Sequence, residues 1–281
     1  GIRDTSVTGV QTCALPILII AISCEDNDKV YKVSGTVYSI DINKQKAMIA
    51  HDTIPNLMMP MTMPFYIQNK KDLTKIKIGD SVHFELVWEE IKPYARNFTI
   101  LGKGFIPQDD EFFSDEFSEK NIGSVLDDAS FLNLDSIRVN LSQTDGEYRF
   151  ISYVFSRCPM PNLCPAIVLK NAALVNQFPE INFIMISFDY KHDTPIVLNK
   201  SYGFSVNSYK NWDVWSSTGF VEDVYRLVRQ SGGNFWGIEQ EKIGHILSSV
   251  LIGKNREMLG VWKGENWEVS EVGNALKLLT K

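Results

Sequence analysis

The chain has 281 residues, 44% of them hydrophobic and 22% charged, which fits a folded globular protein and excludes general disorder. The length exceeds the size at which one core usually keeps growing, so two domains are expected. A net charge of −6 argues against a nucleic-acid binder, which would carry a basic footprint. No run of 18 apolar residues is available to span a membrane, and four cysteines in a chain this long are no disulfide framework.

The opening, GIRDTSVTGVQTCALPI (Gly1 to Ile17), has neither helical nor strand periodicity. It resembles the translated constant parts of a widely used sequencing adapter, with Thr5 and Ser6 where a short index would fall, and is set aside from the fold. The following LIIAISCEDND resembles the end of a bacterial lipoprotein signal: an apolar run, small Ser23, then Cys24 and the acidic Glu25, Asp26 and Asp28. That resemblance implies cleavage before Cys24 and a lipid on its sulfur, anchoring the chain to a membrane on the periplasmic side. An ordinary secretory signal with a stray cysteine is the alternative, and it too places the protein outside the cytoplasm. Residues 1–23 are thus read as leader and 24–29 as a tether.

Residues 30–104 have a strand rhythm. Strands are expected at Tyr31 to Ile40, Lys46 to His51, Met61 to Ile67, Ser81 to Trp88 and Tyr94 to Leu101, a pattern that suggests a small barrel or sandwich. Residues 105–120 form a linker. Its segment QDDEFFSDEFSEK (Gln108 to Lys120) holds six acidic residues against one lysine and is expected to be a solvated, mobile hinge. Its phenylalanines could instead dock on a neighbour.

From residue 121 to 281 strands and helices alternate. Strands are expected at Phe150 to Ser156 and Ile181 to Tyr190, with a hairpin at Ser249 to Gly253 and Leu259 to Trp262. Helices are expected at Pro165 to Phe178, Phe220 to Gln230 and Val269 to Leu279. This is the signature of an α/β layer structure.

Cys158 and Cys164, in SRCPMPNLCPAIV, lie between a buried strand and a helix whose first turn accepts Pro165. The positive end of a helix dipole lowers a cysteine pKa, so thiolate is expected there. Thiolate is both a redox nucleophile and a soft metal ligand, suited to dithiol–disulfide exchange, to Cu(I) or Cu(II), or to both. A structural disulfide is the plain alternative. Two ligands do not saturate most metals, and His245, in IGHILSSVLIG just before an expected strand, is the candidate third. A lone histidine on an apolar segment is otherwise a satisfied core residue.

The segments FSRCPMPNLCPAI, SFDYKHDTP, NWDVWSSTG and GHILSSVLIG, in that order and spacing, resemble the Sco/SenC family. That family comprises thioredoxin-like copper proteins serving cytochrome c oxidase assembly. The resemblance implies a thioredoxin-like fold over 121–281, Cys158, Cys164 and His245 as copper ligands, and the copper subunit of the oxidase as partner. The common pattern has three residues between the cysteines; here Pro159 to Leu163 intervene. Asp189 and Asp193 match the family's spaced aspartate pair. They are expected to give electrostatic support or partner contact near the copper loop, or Asp193 or Thr194 simply caps a helix beginning at Pro195. His192 between them is expected to be exposed.

A second constellation is HDTIPNLMMPMTMPF, His51 to Phe65. Met61 and Met63, two apart on a strand, share one face, and His51 can lie opposite. One imidazole with two thioethers selects Cu(I) or Ag(I) over Zn(II); filling a core is the usual role of methionine, but an exposed-face position between prolines is expected here. The segment resembles the CusF-type periplasmic copper-binding domain, an OB-like barrel, which implies His51, Met61 and Met63 as ligands. The tryptophan those proteins place beside the metal is missing; Met58 stands near its position as a possible fourth donor. Trp88 and His83 are read as structural.

The expected whole is a small all-β OB-like barrel followed by an α/β thioredoxin-like domain. Its expected role is that of an extracytoplasmic copper metallochaperone for the oxidase copper centre, passing copper between two soft sites across the acidic linker. The enzyme-class alternative is a thiol–disulfide reductase in which Cys158 and Cys164 form the redox pair and attack a partner disulfide. A copper-tolerance buffer without an oxidase client is a third reading.

Overall fold

The computed structural model describes residues 29–89, 92–106, 117–158, 160, 163–238, 243–264 and 266–279. The adapter-like segment, the expected lipid site Cys24 and most of the acidic linker lie outside the described residues. None of the described helices is long and apolar enough to cross a membrane.

The first unit is built from β1 (Lys29–Asp41), β2 (Lys46–His51), β3 (Met61–Tyr66), α1 (Lys70–Lys75), β4 (Asp80–Trp88) and β5 (Tyr94–Lys103). The strands run in the order β3-β2-β1-β4-β5, all antiparallel. A parallel bridge between Ile67 and Ala95, with the Gln68 amide donating to the Ala95 carbonyl at 3.0 Å, brings the two ends together. That closure makes an OB-like barrel. Alternation decides the interior: Val33 and Val37 of β1, Ile49 and His51 of β2, Met61, Met63 and Phe65 of β3 are all buried. Through the middle run Phe65, Phe84 and Phe98, edge-on at 4.9 Å and then stacked at 4.8 Å.

The second unit has a mixed sheet of order β14-β13-β8-β9-β10-β6-β7. Its centre is β8 (Tyr148–Val154), β9 (Ile181–Ser187) and β10 (Trp212–Ser216), all parallel. These are joined by α2 (Cys164–Val175) and α3 (Pro195–Val206). The hairpin β13 (Ser248–Ile252) and β14 (Met258–Lys263) lies antiparallel on β8. The short β6 (Ser130–Leu132) and β7 (Arg138–Asn140) form the opposite edge, and α4 (Val221–Gln230) and α5 (Val269–Lys277) complete the α/β layers. The central strands are buried along nearly their whole length, as parallel strands covered on both faces must be. This is a thioredoxin-like arrangement.

Two features depart from the sequence reading. A short hairpin, β11 (Asn234–Trp236) and β12 (Ile243–Ile246), leaves the second unit and adds to the barrel edge. There β12 runs parallel to β3, with Ile243 beside Met61 and Gly244 beside Thr62. His245 therefore sits inside a strand, not just ahead of one. The end of the linker is also not a free hinge. Phe117 is buried with the Arg226 guanidinium 5.9 Å from its ring centroid, Lys120 pairs with Asp127 at 2.6 Å and Lys263 with Glu119 at 2.8 Å. One aromatic anchor outweighs the solvation that the acidic composition suggested.

Candidate metal centres

The first centre is on the barrel. His51 ends β2 and pairs with Met61, Ile49 pairs with Met63, and strand alternation sets all four side chains on the inner face. The expected exposed face is thus wrong: Met58, Met61, Met63 and His51 are all buried. The reason is twofold, since the barrel curls over this face and β12 covers the β3 edge.

The His51 ring is held by two contacts. Its Nδ1 lies 2.7 Å from the Asp52 carbonyl oxygen, and its ring is edge-on to Phe65 at 5.6 Å. A carbonyl can only accept, so Nδ1 carries the proton and Nε2 carries the lone pair. Burial pushes the His51 pKa down, against the opposing pull of the Asp52 carbonyl, so the ring is neutral. Nε2 is buried and has no hydrogen-bond partner among the described residues. A donor nitrogen fixed in this way by a hydrogen bond on the other ring nitrogen is the usual state of a metal-binding imidazole. Gly35 faces His51 across the ladder, and a Cβ there would meet the Ala50 carbonyl at 2.6 Å; only glycine lets the two strands close here. Met58, bridged to Ile54 in the preceding loop, is placed near the cluster by sequence only.

The second centre is at the start of α2. Cys158 follows β8, and Cys164 opens the helix with Pro165 behind it. Both are buried thiols, not joined by a disulfide. They are close enough for the Cys158 thiol to hydrogen-bond Cys164 and to hold its pKa up. The thiolate expectation is therefore reversed for Cys164. Burial raises its pKa well above the usual thiol value, the Cys158 neighbour adds to this, and a backbone hydrogen bond with Phe155 opposes it only in part. Desolvation beats the helix terminus here. A cation binding at this pair must expel a thiol proton.

His245 reaches the same region from β12. Its ring packs against Phe155 at 5.5 Å and Phe188 at 5.3 Å. Cys164 and His245 line one cavity of about 90 Å³. No ready-made cluster of three or more His, Cys, Asp or Glu donors is present among the described residues, so the three side chains share a neighbourhood and not a closed coordination shell. The Cys164 thiol and the His245 imidazole on this cavity, with the Cys158 thiol in contact with Cys164, still form a donor set suited to a soft cation.

Beneath Cys158 lies a polar support that spacing alone did not reveal. Asp193 is fully buried and accepts from the Ser156 amide at 2.8 Å, from the Ser187 hydroxyl at 2.5 Å and from the Ser156 hydroxyl. Asp189, equally buried, accepts from Arg157 Nε at 2.9 Å and Nη2 at 2.7 Å. Both aspartates thus fix the two residues preceding Cys158. Helix capping falls to Thr194, which accepts from Val197 at 3.4 Å. Tyr202 donates to the Phe155 carbonyl at 2.9 Å, and burial pushes its pKa far up. Arg157 and Ser156 adjoin the cysteine, and that proximity was the available signal. Nothing local pointed to Ser187 or Tyr202. His192 is exposed, and so is His83, whose Nδ1 lies 2.8 Å from the Ser34 hydroxyl.

The family model described as SCO1/SenC matches residues 124–280, and that described as copper binding periplasmic protein CusF matches residues 30–92. Comparison with curated proteins returns no match. Among solved structures, a SCO1/SenC family lipoprotein from Bacillus anthracis is 19% identical, with a TM-score of 0.51, and 58% of this chain covers 99% of it. It shares the fold of the second unit. Copper-bound ScoI from Arabidopsis thaliana is 18% identical at a TM-score of 0.47, with 56% of this chain covering 99% of it. BsSco, described as a member of the Sco family of cytochrome c oxidase assembly proteins, is 18% identical at 0.45, with 57% of this chain covering 96% of it.

Proposed function

The chain belongs to the SCO1/SenC family, and from that premise we propose that it is an extracytoplasmic copper metallochaperone with two soft sites. The barrel takes up Cu(I) through His51, Met61 and Met63. The thioredoxin-like unit holds copper through Cys158, Cys164 and His245. Copper is the cargo; the acceptor this role requires is the copper subunit of cytochrome c oxidase. An extracytoplasmic place is supported by the barrel's match to a protein described as periplasmic. Attachment through a lipid on Cys24 goes with it, in keeping with a relative described as a lipoprotein.

One observation carries this reading: the bare, buried Nε2 of His51, with Met61 opposite it in the ladder and Met63 two positions along on the same face. A buried polar atom without a partner costs about 1–3 kcal/mol. A neutral imidazole can recover that by binding a soft cation, while the thioethers add no charge and leave hard divalent ions unserved.

The test is an anaerobic Cu(I) competition titration of the full chain. Two sites are expected. Cys158→Ser should abolish one and Met61→Ala the other, and an unchanged stoichiometry in either variant removes that assignment.

The thiol contact between Cys158 and Cys164 also favours a second reading, a thiol–disulfide reductase. One thiolate would attack a partner disulfide and release one partner thiol. The other would then close a Cys158–Cys164 disulfide and release the second. Turnover of a disulfide substrate that persists in His245→Ala, without retained copper, would select this reading.

A further inference from the structure

The two sites do not merely share a chain. The cavity that Cys164 and His245 line is walled on its other side by the barrel, through Met48 of β2 and Pro64 of β3. We propose that the Met48 thioether is a copper donor to the cysteine–histidine site, so that the barrel completes the metal shell of the thioredoxin-like unit. This rests on the copper reading given above and names a ligand that lies outside both expected sets.

Strand parity supports it. Along β2, Ala47, Ile49 and His51 point inward and are buried, while Met48 alternates outward and is only half-buried. Met48 therefore fills no part of the barrel core, the usual reason for a methionine on a small barrel. Its cross-strand partner is Pro64. Proline has no N–H to offer a ladder, and the β3–β12 pairing is confined to Met61 and Thr62. The pairing fixes β12 against the barrel, and the proline marks where it ends. The cavity opens there, with His245 one residue beyond the last pair.

The chemistry agrees. Two sulfurs and one nitrogen leave Cu(I) three-coordinate, and a thioether is a soft, neutral fourth donor that adds no charge to a buried site. Leu163 and Ile167 add apolar wall beside it. Binding is ligand substitution at constant oxidation state: copper–sulfur bonds form, and each cysteine that binds gives its proton to water.

The experiment is a Cu(I) competition titration of full-length Met48→Leu, paired with X-ray absorption at the copper edge. Leucine conserves volume, so packing survives. The expected result is copper bound at the cysteine site about tenfold more weakly, with a sulfur scatterer lost from its shell and the barrel site unchanged. Met48→Ile, suited to a strand, gives the same readout should the leucine variant fold poorly. Unchanged affinity and an unchanged sulfur shell would overturn the proposal while the two-site function stands. If Cys158→Ser has no effect on copper binding in the parent chain, the functional reading fails instead.

Discussion

Replacing Arg149 by methionine lowers the stability of the thioredoxin-like unit by about 1.5–3 kcal/mol, enough to shift its melting by roughly 5–10 °C. Arg149 starts on β8, is fully buried, and ties three separate segments together. Its Nη1 donates to the Leu141 carbonyl at 3.3 Å, to the Thr144 hydroxyl at 3.0 Å and to Asp145 at 3.0 Å. Its Nη2 donates to the Gly253 carbonyl. The guanidinium therefore joins the turn after β7 to the turn between β13 and β14. Asp145 is partly exposed and can turn to water, so its loss of a partner costs little. The Leu141 and Gly253 carbonyls each keep another donor, the Thr144 hydroxyl at 2.8 Å and the Arg256 amide at 3.1 Å, so the loss is that of charge-assisted hydrogen bonds, at about 1.5–3 kcal/mol. Thermal unfolding with methionine and alanine variants separates the contributions: alanine adds a cavity to the same loss. Methionine as stable as the parent would mean that the cost of burying the guanidinium offsets its hydrogen bonds.

The contrast between the two sites shows what a sequence carries. The shared face of Met61 and Met63 is legible because strand periodicity is local: a spacing of two sets them together whatever else the chain does. Which face was not legible, because burial of β3 depends on β12, a strand from more than 180 residues downstream. His245 shows the same limit. A thioredoxin-like fold returns it to the cysteines, but its place in a strand shared with the barrel follows from interdomain pairing that no local period announces. Met48 stands out in no sequence motif, and its outward parity gains meaning only because it shares a cavity with Cys164. The direction of the Cys164 pKa is hidden from the sequence for a related reason: the helix terminus is a local feature, while the burial that outweighs it is set by the whole fold.

The same dependence on distant packing makes Asp193→Ala the more informative perturbation of the cysteine centre. Asp193 takes three hydrogen bonds from Ser156 and Ser187, and Ser156 lies two residues before Cys158. Alanine leaves a buried amide and two hydroxyls without their acceptor, at about 3 kcal/mol in all. It also frees the approach to Cys158, so copper at the cysteine site weakens by about tenfold while the barrel site is untouched. Asp193→Asn separates shape from charge: it keeps one acceptor oxygen but turns an amide nitrogen toward groups that donate. Its pH behaviour is the sharper readout. Burial raises the Asp193 pKa above its ordinary value of 3.8, with Asp189 adding to the rise and the serine hydrogen bonds opposing it. A carboxyl whose folded pKa is raised binds its proton more tightly in the folded state. Its contribution is therefore fully present below about pH 3.8 and is lost as pH rises through the raised value. The parent should lose stability across that window, and the asparagine variant should not. Parallel pH–stability curves for the two proteins would show that Asp193 is held as readily in its charged form as in water. The serine hydrogen bonds would then fully offset its burial.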